Sequence, residues 1–376
     1  MLKCKPSGGP SEELYFWIGL NMLPNVGPVR FRAIVEHFGS AKGVWEASLD
    51  ELVQVEGIGK GLAETIVRSR YEVDIEGQIA RAGTMGVDII TIGDPQYPEK
   101  LRMIYDPPPV LYVKGVFSPV DNKSIAVVGT RKASPYGRAV AEEVAKGLAK
   151  HGITVVSGMA RGIDSRAHMG ALAGGGRTIA VLGSGLDVPY PPENAKLMEE
   201  IASSGAVISE FPLGTPPLPQ NFVARNRVIS GLALGVVVVE GDVTSGAMLT
   251  ADFALEQGRE VFAVPGSIAS AGSRGPHSLI KQGARLVEGV DDILEELGLK
   301  GDGCPRGGAR EGSSLSLGLD EVEKHLYNVL GLEPQGIDIL IEKTGLAPEK
   351  VSAALVKMEL AGLVEGLPGN FFVRRP

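Results

Sequence analysis

The sequence predicts an α/β protein. Its core is a doubly wound, parallel, Rossmann-like sheet, with an N-terminal helical domain of helix-hairpin-helix or SAM-like form before it and a C-terminal winged-helix domain after it. Three observations predict this. Apolar runs of strand length recur between residues 121 and 300 and alternate with amphipathic helical stretches. Ahead of them, two Gly-containing turns each open a helix, and beyond them three helical stretches lead into a Gly-centred hairpin.

Residues 1–80 carry the first pattern. LPNVGPVRFRAIVEHFG and VEGIGKGLAETIV share one layout: an apolar residue, a tight turn, then a helix with apolar residues at helical spacing (Val29, Ala33 and Ile34; Leu62 and Ile66). The second turn is Gly57-Ile58-Gly59, and the first has Asn25 where the second has Gly57. A hairpin of this kind turns bare N–H groups outward at a helix start, which suits a phosphate. The same shape also serves as a small packing or protein-interaction domain. Residues 81–120 are expected to form an extended connector into the core, because Pro98 and Pro107-Pro108-Pro109 exclude continuous helix. Its end, LYVKG, reads as a strand.

The core, residues 121–300, contains the strands IAVVGT (125–130), ITVVSG (153–158), TIAVLG (178–183), AVISE (206–210), VVVVEG (236–241), VFAVPG (261–266) and ARLVEG (284–289). Unbroken apolar runs suit strands covered by helices on both faces. Between the first two, YGRAVAEEVAKGLAKHG places Val140, Val144 and Leu148 one turn apart and stops at Gly152. Residues 301–318 are rich in Gly and Ser and read as a flexible linker. Residues 319–376 give three helices and a hairpin, a winged helix. The helix in the recognition position balances Lys350 and Lys357 with Glu349 and Glu359, which favours packing or protein contact over duplex reading.

Composition narrows the function. With 44% hydrophobic and 22% charged residues the chain is an ordinary globular protein. A net charge of −8 argues against electrostatic coating of duplex DNA, so any strand binding has to come from Lys and Arg converging locally. No apolar stretch approaches a membrane span and MLKCKPSGGPSEEL has no apolar signal core, so a cytoplasmic protein with no membrane partner is expected. Cys4 and Cys304, with five scattered histidines, provide neither a structural disulfide nor a zinc site, and no metal or other cofactor is expected.

In an open parallel sheet, ligands bind beyond the carboxyl ends of the strands, where helix starts expose N–H groups. The polar residues gather there: Gly129-Thr130-Arg131-Lys132, Ser157-Gly158 followed by Ala160-Arg161-Gly162, Asn194 after Gly183-Ser184-Gly185, Phe222 with Arg225-Asn226, and Ser245-Gly246. Glycine lets a phosphate approach the backbone and arginine adds a forked charge. Each position has a plainer reading. Arg227 pairs with Glu210 or Glu240 inside the crevice; Asp164 caps a helix or fixes a loop; His168 packs within a helix; Phe222 is either core or a base-stacking platform.

The strings VVGTRKASPYG, SGMARGIDSRAH, FVARNRVISGLALGVVVVEG, SGAMLTADFALEQGREVFAVPGS and LIKQGA resemble the successive signature segments of the DprA/Smf family, in order and over about half the chain. The resemblance implies a single-stranded-DNA-binding recombination mediator, not an enzyme. Such a protein shields incoming strands, helps load the RecA recombinase during natural transformation and works as a homodimer. It implies that Arg131 is a phosphate ligand and that Gly158, Ala160, Arg161 and Gly162 offer N–H groups and charge. Phe222 then stacks a base, Arg225 and Asn226 line the groove, and Ser245-Gly246 cradle a phosphate. Gly129, Thr130, Lys132, Ser157 and Asn194 complete the DNA-binding set. Where many relatives have Asn, this chain has His277, so His277, Ile280 and Leu286 are assigned to the dimer edge instead.

The alternative is an enzyme, a Rossmann-like nucleotide phosphoribohydrolase in which Arg131, Glu210 and Glu240 carry the chemistry, although the PGGxGTxxE pattern of that group is missing. A nicotinamide-dependent dehydrogenase fits less well, since VVGTRKASPYG is not GxGxxG and the second strand does not end in an acid. Nor is there a GxxxxGK[ST] P-loop.

Overall fold

The computed structural model describes residues 12–299, 320–331 and 334–374. The expected linker, 301–318, lies outside the described residues, as do Cys4 and Cys304. Five short helices come first among the described residues: α1 (Glu12–Asn21), α2 (Pro28–Phe38), α3 (Ala41–Glu46), α4 (Leu49–Val53) and α5 (Lys60–Ser69). They enclose a small core around Leu20, Phe31, Ile34, Leu52 and Ile66. The turns before α2 and α5 share one backbone shape, with φ of 62° at Asn25 and 81° at Gly57. Asparagine tolerates the left-handed region better than most residues, so the replacement of glycine leaves the first turn intact.

A sixth helix, α6 (Ile75–Met85), belongs with the sheet. Its Ala82 packs with Val87, Val110 and Tyr112. Gln78 exchanges two hydrogen bonds with the Leu213 backbone, donating at 2.9 Å and accepting at 3.1 Å.

The strands are β1 (Val87–Thr91), β2 (Val110–Gly115), β3 (Ser124–Val128), β4 (Thr154–Ser157), β5 (Thr178–Val181), β6 (Ala206–Ser209), β7 (Gly235–Val238), β8 (Glu260–Ala263) and β9 (Arg285–Leu286). They form one nine-stranded sheet in the order β1-β2-β6-β5-β4-β3-β7-β8-β9. From β6 to β9 all pairings are parallel. β2 runs antiparallel to β6, and β1 antiparallel to β2. The sheet is therefore mixed, not wholly parallel. The 81–120 stretch does more than extend into the core: it adds two strands and a helical turn, α7 (Glu99–Arg102), to one edge. The reason is local, because Ile89, Ile90 and Thr91 are β-branched and their partner strand starts directly after the proline run.

The remaining core helices are α8 (Pro135–Lys150), α9 (Ile163–Ala173), α10 (Ala195–Ser204), α11 (Pro219–Leu232), α12 (Gly246–Glu256), α13 (Arg274–Lys281) and α14 (Val290–Glu296). Alternate residues of β3 serve the two faces. Ala126 and Val128 pack with Val228 and Ile229 of α11 and Ala251 of α12. Ile125 and Val127 pack with Val144 and Leu148 of α8 and Ala167 of α9. The chain winds outward from β3 through β4, β5 and β6, then returns to place β7 on the other side of β3. That reversal makes the β3/β7 junction a topological switch point.

The last unit has three helices, α15 (Glu321–Val329), α16 (Ile337–Thr344) and α17 (Pro348–Leu360), and a small sheet of β10 (Gln335–Gly336), β11 (Val364–Leu367) and β12 (Phe371–Arg374) in the order β10-β12-β11. This is a winged helix. In α17, Lys357 is held 3.2 Å from Glu323 and 3.6 Å from Asp320. Glu359 accepts the Gly366 N–H at 3.2 Å. Among the described residues, no helix is long and apolar enough to cross a membrane.

Candidate nucleic-acid interface

A cleft of about 540 Å³ opens at the switch point. Its walls are the loop after β3, the first half of α11 and the start of α12. Of the residues assigned from sequence, Gly129, Thr130, Arg131, Lys132, Ala160, Phe222, Arg225, Asn226, Ser245 and Gly246 line it together.

At the rim, Arg131 is exposed and enters none of the ion pairs formed among the described residues. Its guanidinium lies 5.1 Å from the centre of the Phe222 ring, an arrangement that favours a cation over the π face. Tyr190 extends this platform, with its ring 5.3 Å from that of Phe222. Sequence reasoning missed Tyr190. It sits in an irregular loop after β5, and only the fold brings it to α11. Across the cleft, Ser245 occupies the N-cap of α12, but its Oγ is buried and has no hydrogen-bond partner among the described residues. Asn226 ties α11 to this helix start by donating to the Gly246 carbonyl at 3.1 Å. Gly246 faces open space. An orphan hydroxyl beside the free N–H groups of a helix start is a ready anion seat.

The floor of the cleft is charged and buried. Arg225 is only 4% exposed. Its Nη1 donates to the Gly158 carbonyl at 2.6 Å and to the Val181 carbonyl. Burial pushes Arg225 down to about 10, against the opposing pull of Asp164. Asp164, in the first turn of α9, accepts the Ala160 N–H at 3.3 Å. Burial pushes its carboxyl up to about 6, while Arg225, the Ala160 and Gly129 N–H groups and Arg131 act the other way. Deeper still, His168 is fully buried with Nδ1 2.7 Å from the Thr178 hydroxyl. Burial, reinforced by Arg225, holds this imidazole down to about 3, so it stays neutral.

Some assigned residues do not reach the cleft. Ser157 is wholly buried in β4 and donates to the Val127 carbonyl at 2.6 Å. Gly158 is also buried, and a Cβ there would strike the Arg225 guanidinium. The missing side chain permits that close approach. Arg161, Gly162 and Asn194 line an adjoining recess instead. Arg161 is forked onto Glu193, and Asn194 is buried, donating to the Met159 carbonyl at 2.9 Å and the Ser165 hydroxyl at 2.8 Å. Gly162 has φ of 82° and lies against the Thr130 carbonyl.

Arg227 takes the plainer reading: buried, it pairs with Glu210 and with Asp106 at 3.1 Å, not with Glu240. Glu240 has another use. Its carboxylate accepts the Ser134 N–H at 2.8 Å and so occupies the start of α8, where a dinucleotide fold seats its pyrophosphate. At the far end of the sheet, Ile280 packs partly against the core, and His277 Nε2 lies 3.1 Å from the Gly266 carbonyl. Leu286, on edge strand β9, is 45% exposed.

The family model described as DNA recombination-mediator protein A matches residues 88–298, more than half the chain, and so spans the sheet and its cleft. The chain belongs to the DprA/Smf family. The DprA winged helix domain matches residues 313–370, and a SAM-like helix-hairpin-helix tandem matches 19–69. Protein Smf of Synechocystis sp. is 35% identical over 396 residues, covering 97% of this chain and 99% of that protein. The X-ray structure of DNA processing protein A from Streptococcus pneumoniae matches with a TM-score of 0.65 at 36% identity, over 75% of this chain and 96% of that one. The Helicobacter pylori protein, whose structure concerns its single-stranded DNA binding mode, matches with a TM-score of 0.51 at 29% identity, over 56% of this chain and 95% of that one.

Proposed function

We propose that this DprA/Smf member binds single-stranded DNA in the switch-point cleft, protects incoming strands and helps load the RecA recombinase during natural transformation, working as a homodimer in the cytoplasm. One observation carries the reading. An unpaired arginine, Arg131, stands over an aromatic platform of Phe222 and Tyr190, in the same cleft as the orphan Ser245 hydroxyl at the start of α12. Stacking surface and anion seats in one trough match a strand's alternating bases and phosphates. Base stacking on an aromatic side chain is worth about 1–3 kcal/mol. The binding mode described for the Helicobacter pylori relative supports the same ligand. Leu286 on the free sheet edge is the residue we assign to the dimer contact.

The phosphoribohydrolase reading has less support. Glu210 is committed to Arg227 and Glu240 to the start of α8, and the acid that lines the cleft is Asp164, which faces Arg225. The test is fluorescence anisotropy with single- and double-stranded probes. Tight, salt-sensitive binding of oligo(dT) that Arg131→Ala weakens by about tenfold or more is expected. Release of free base from nucleoside monophosphates, with no strand binding, would reverse the assignment. Faster RecA filament growth on a strand coated with single-strand-binding protein checks the loading role.

A further inference from the structure

Arg131 and Lys132 line two recesses, not one. Beyond the ridge they form lies a second hollow of about 290 Å³, which also receives Arg138, Arg161 and Arg166. Arg138 comes from the first turns of α8 and Arg166 from the facing α9. These helices pack closely because Gly170 has no side chain to hold off the Glu142 backbone. Two of the five cations carry one carboxylate each: Arg161 is held by Glu193, and Arg166 lies 3.3 Å from Glu142. Arg138 donates to the Ala133 carbonyl at 3.2 Å and, like Arg131 and Lys132, enters no ion pair among the described residues. Among the described residues, no aromatic ring lines the hollow. Its chemistry is that of a phosphate seat, whereas the first cleft combines anion seats with a stacking platform.

We propose that this hollow is a second phosphate subsite. A strand leaving the switch-point cleft crosses the Arg131–Lys132 ridge and lays further phosphates against Arg138 and Arg166. The inference rests on the single-strand reading above and adds a route to it. A free nucleotide would fill one recess; two recesses with a shared cationic ridge match a polyanion. A phosphate entering the hollow competes with Glu142 for Arg166, a half-buried pair whose 3.3 Å contact is long for a charged hydrogen bond.

The test uses the full chain and fluorescein-labelled oligo(dT) of about six and about twenty nucleotides, spanning the range of known single-strand sites. The double variant Arg138→Gln/Arg166→Gln should bind the long probe about tenfold more weakly and the short probe within about twofold of wild type. Losing two phosphate contacts should also lower the salt slope of the long probe by about 1.4. Glu142→Gln, which frees Arg166 without removing a cation, should tighten the long probe by about threefold, so the idea stays testable if the double variant folds poorly. If the double variant matches wild type on the long probe while Arg131→Ala still weakens both probes, the second subsite is wrong and the cleft reading stands. Equal losses on both probes also overturn it, because the damage then lies in the cleft. If wild type binds neither probe, the cleft reading itself falls.

Discussion

Arg225 and Arg227 stand two positions apart on one helix and do unlike work. Arg225 points under the cleft and braces the ends of β4 and β5 through the Gly158 and Val181 carbonyls. Arg227 points away to Glu210 and Asp106. Arg227→Ala strands a buried carboxylate and should cost about 3–5 kcal/mol in denaturant unfolding, whereas Arg131→Ala, at an exposed unpaired position, should leave the unfolding midpoint in place and change only strand affinity. An Arg227→Ala protein as stable as wild type would mean that Glu210 has a partner other than arginine. Asp164 gives a second residue-scale prediction. When ionised it offsets the charge of Arg225 beneath the cleft, so protonation leaves the cleft more positive. A nearby phosphate raises its proton affinity further, so binding should take up a proton and tighten as pH falls through about 6. Stability is a poor reporter of this group. The raised pKa of Asp164 means its ionised form costs stability above about 6, regained on acidification. The depressed pKa of His168 means stability present above its ordinary value of 6.5 is lost as pH falls toward about 3. The two oppose each other, and strand affinity measured between about pH 5.5 and about pH 8 separates them. Asp164→Asn should flatten that profile, and a wild-type profile already flat would remove Asp164 from the mechanism.

At the scale of the element, the start of α12 carries a buried hydroxyl, Ser245 Oγ, with no hydrogen-bond partner among the described residues. An unsatisfied buried hydroxyl costs about 1–3 kcal/mol. Ser245→Ala should therefore leave the free protein as stable as wild type, or slightly more so, while weakening strand binding by about threefold to tenfold, read by melting and anisotropy on the same samples. A fall in stability would show that Ser245 Oγ already serves the free fold. Much of this element-level organisation was legible in the sequence. Six apolar runs became parallel strands buried between the helix layers, because a strand covered on both faces needs little pattern beyond hydrophobicity, while ARLVEG gave only the short, exposed edge strand β9. Most of the polar residues assigned to strand ends gather in one cleft, because strand order places the β3 and β7 ends together. What escaped depended on contacts distant in sequence. β1 escaped because VDIIT is short and half polar and becomes a strand only beside β2. The packing of Gly158 escaped because the Arg225 guanidinium that fills the space beside it comes 67 positions later. Tyr190 carries no periodic signal at all, and its role depends on where Phe222 lies.

Over the whole molecule, a net charge of −8 and a cationic trough act together. The trough attracts a phosphate backbone at short range, while the net negative charge of the molecule disfavours a polyanion that cannot enter it. A single strand can enter, turn its bases onto Phe222 and Tyr190, and bring its phosphates to Arg131. A duplex keeps its bases stacked on each other, so it loses the aromatic contribution and presents about twice the charge per unit length to a protein of net negative charge. Discrimination should therefore be large, about a hundredfold in favour of oligo(dT) over a duplex of equal length near physiological salt. It should also survive added salt better than absolute affinity does, because stacking is not screened and phosphate contact is. Titrating both probes at about 50 mM and about 200 mM salt measures the two contributions separately. Preference that vanishes at the higher salt would mean that charge alone selects the strand, and Phe222→Ala would then change nothing. Preference that persists, and collapses in Phe222→Ala, would locate selectivity in the aromatic platform, with the arginines setting how tightly the strand is held.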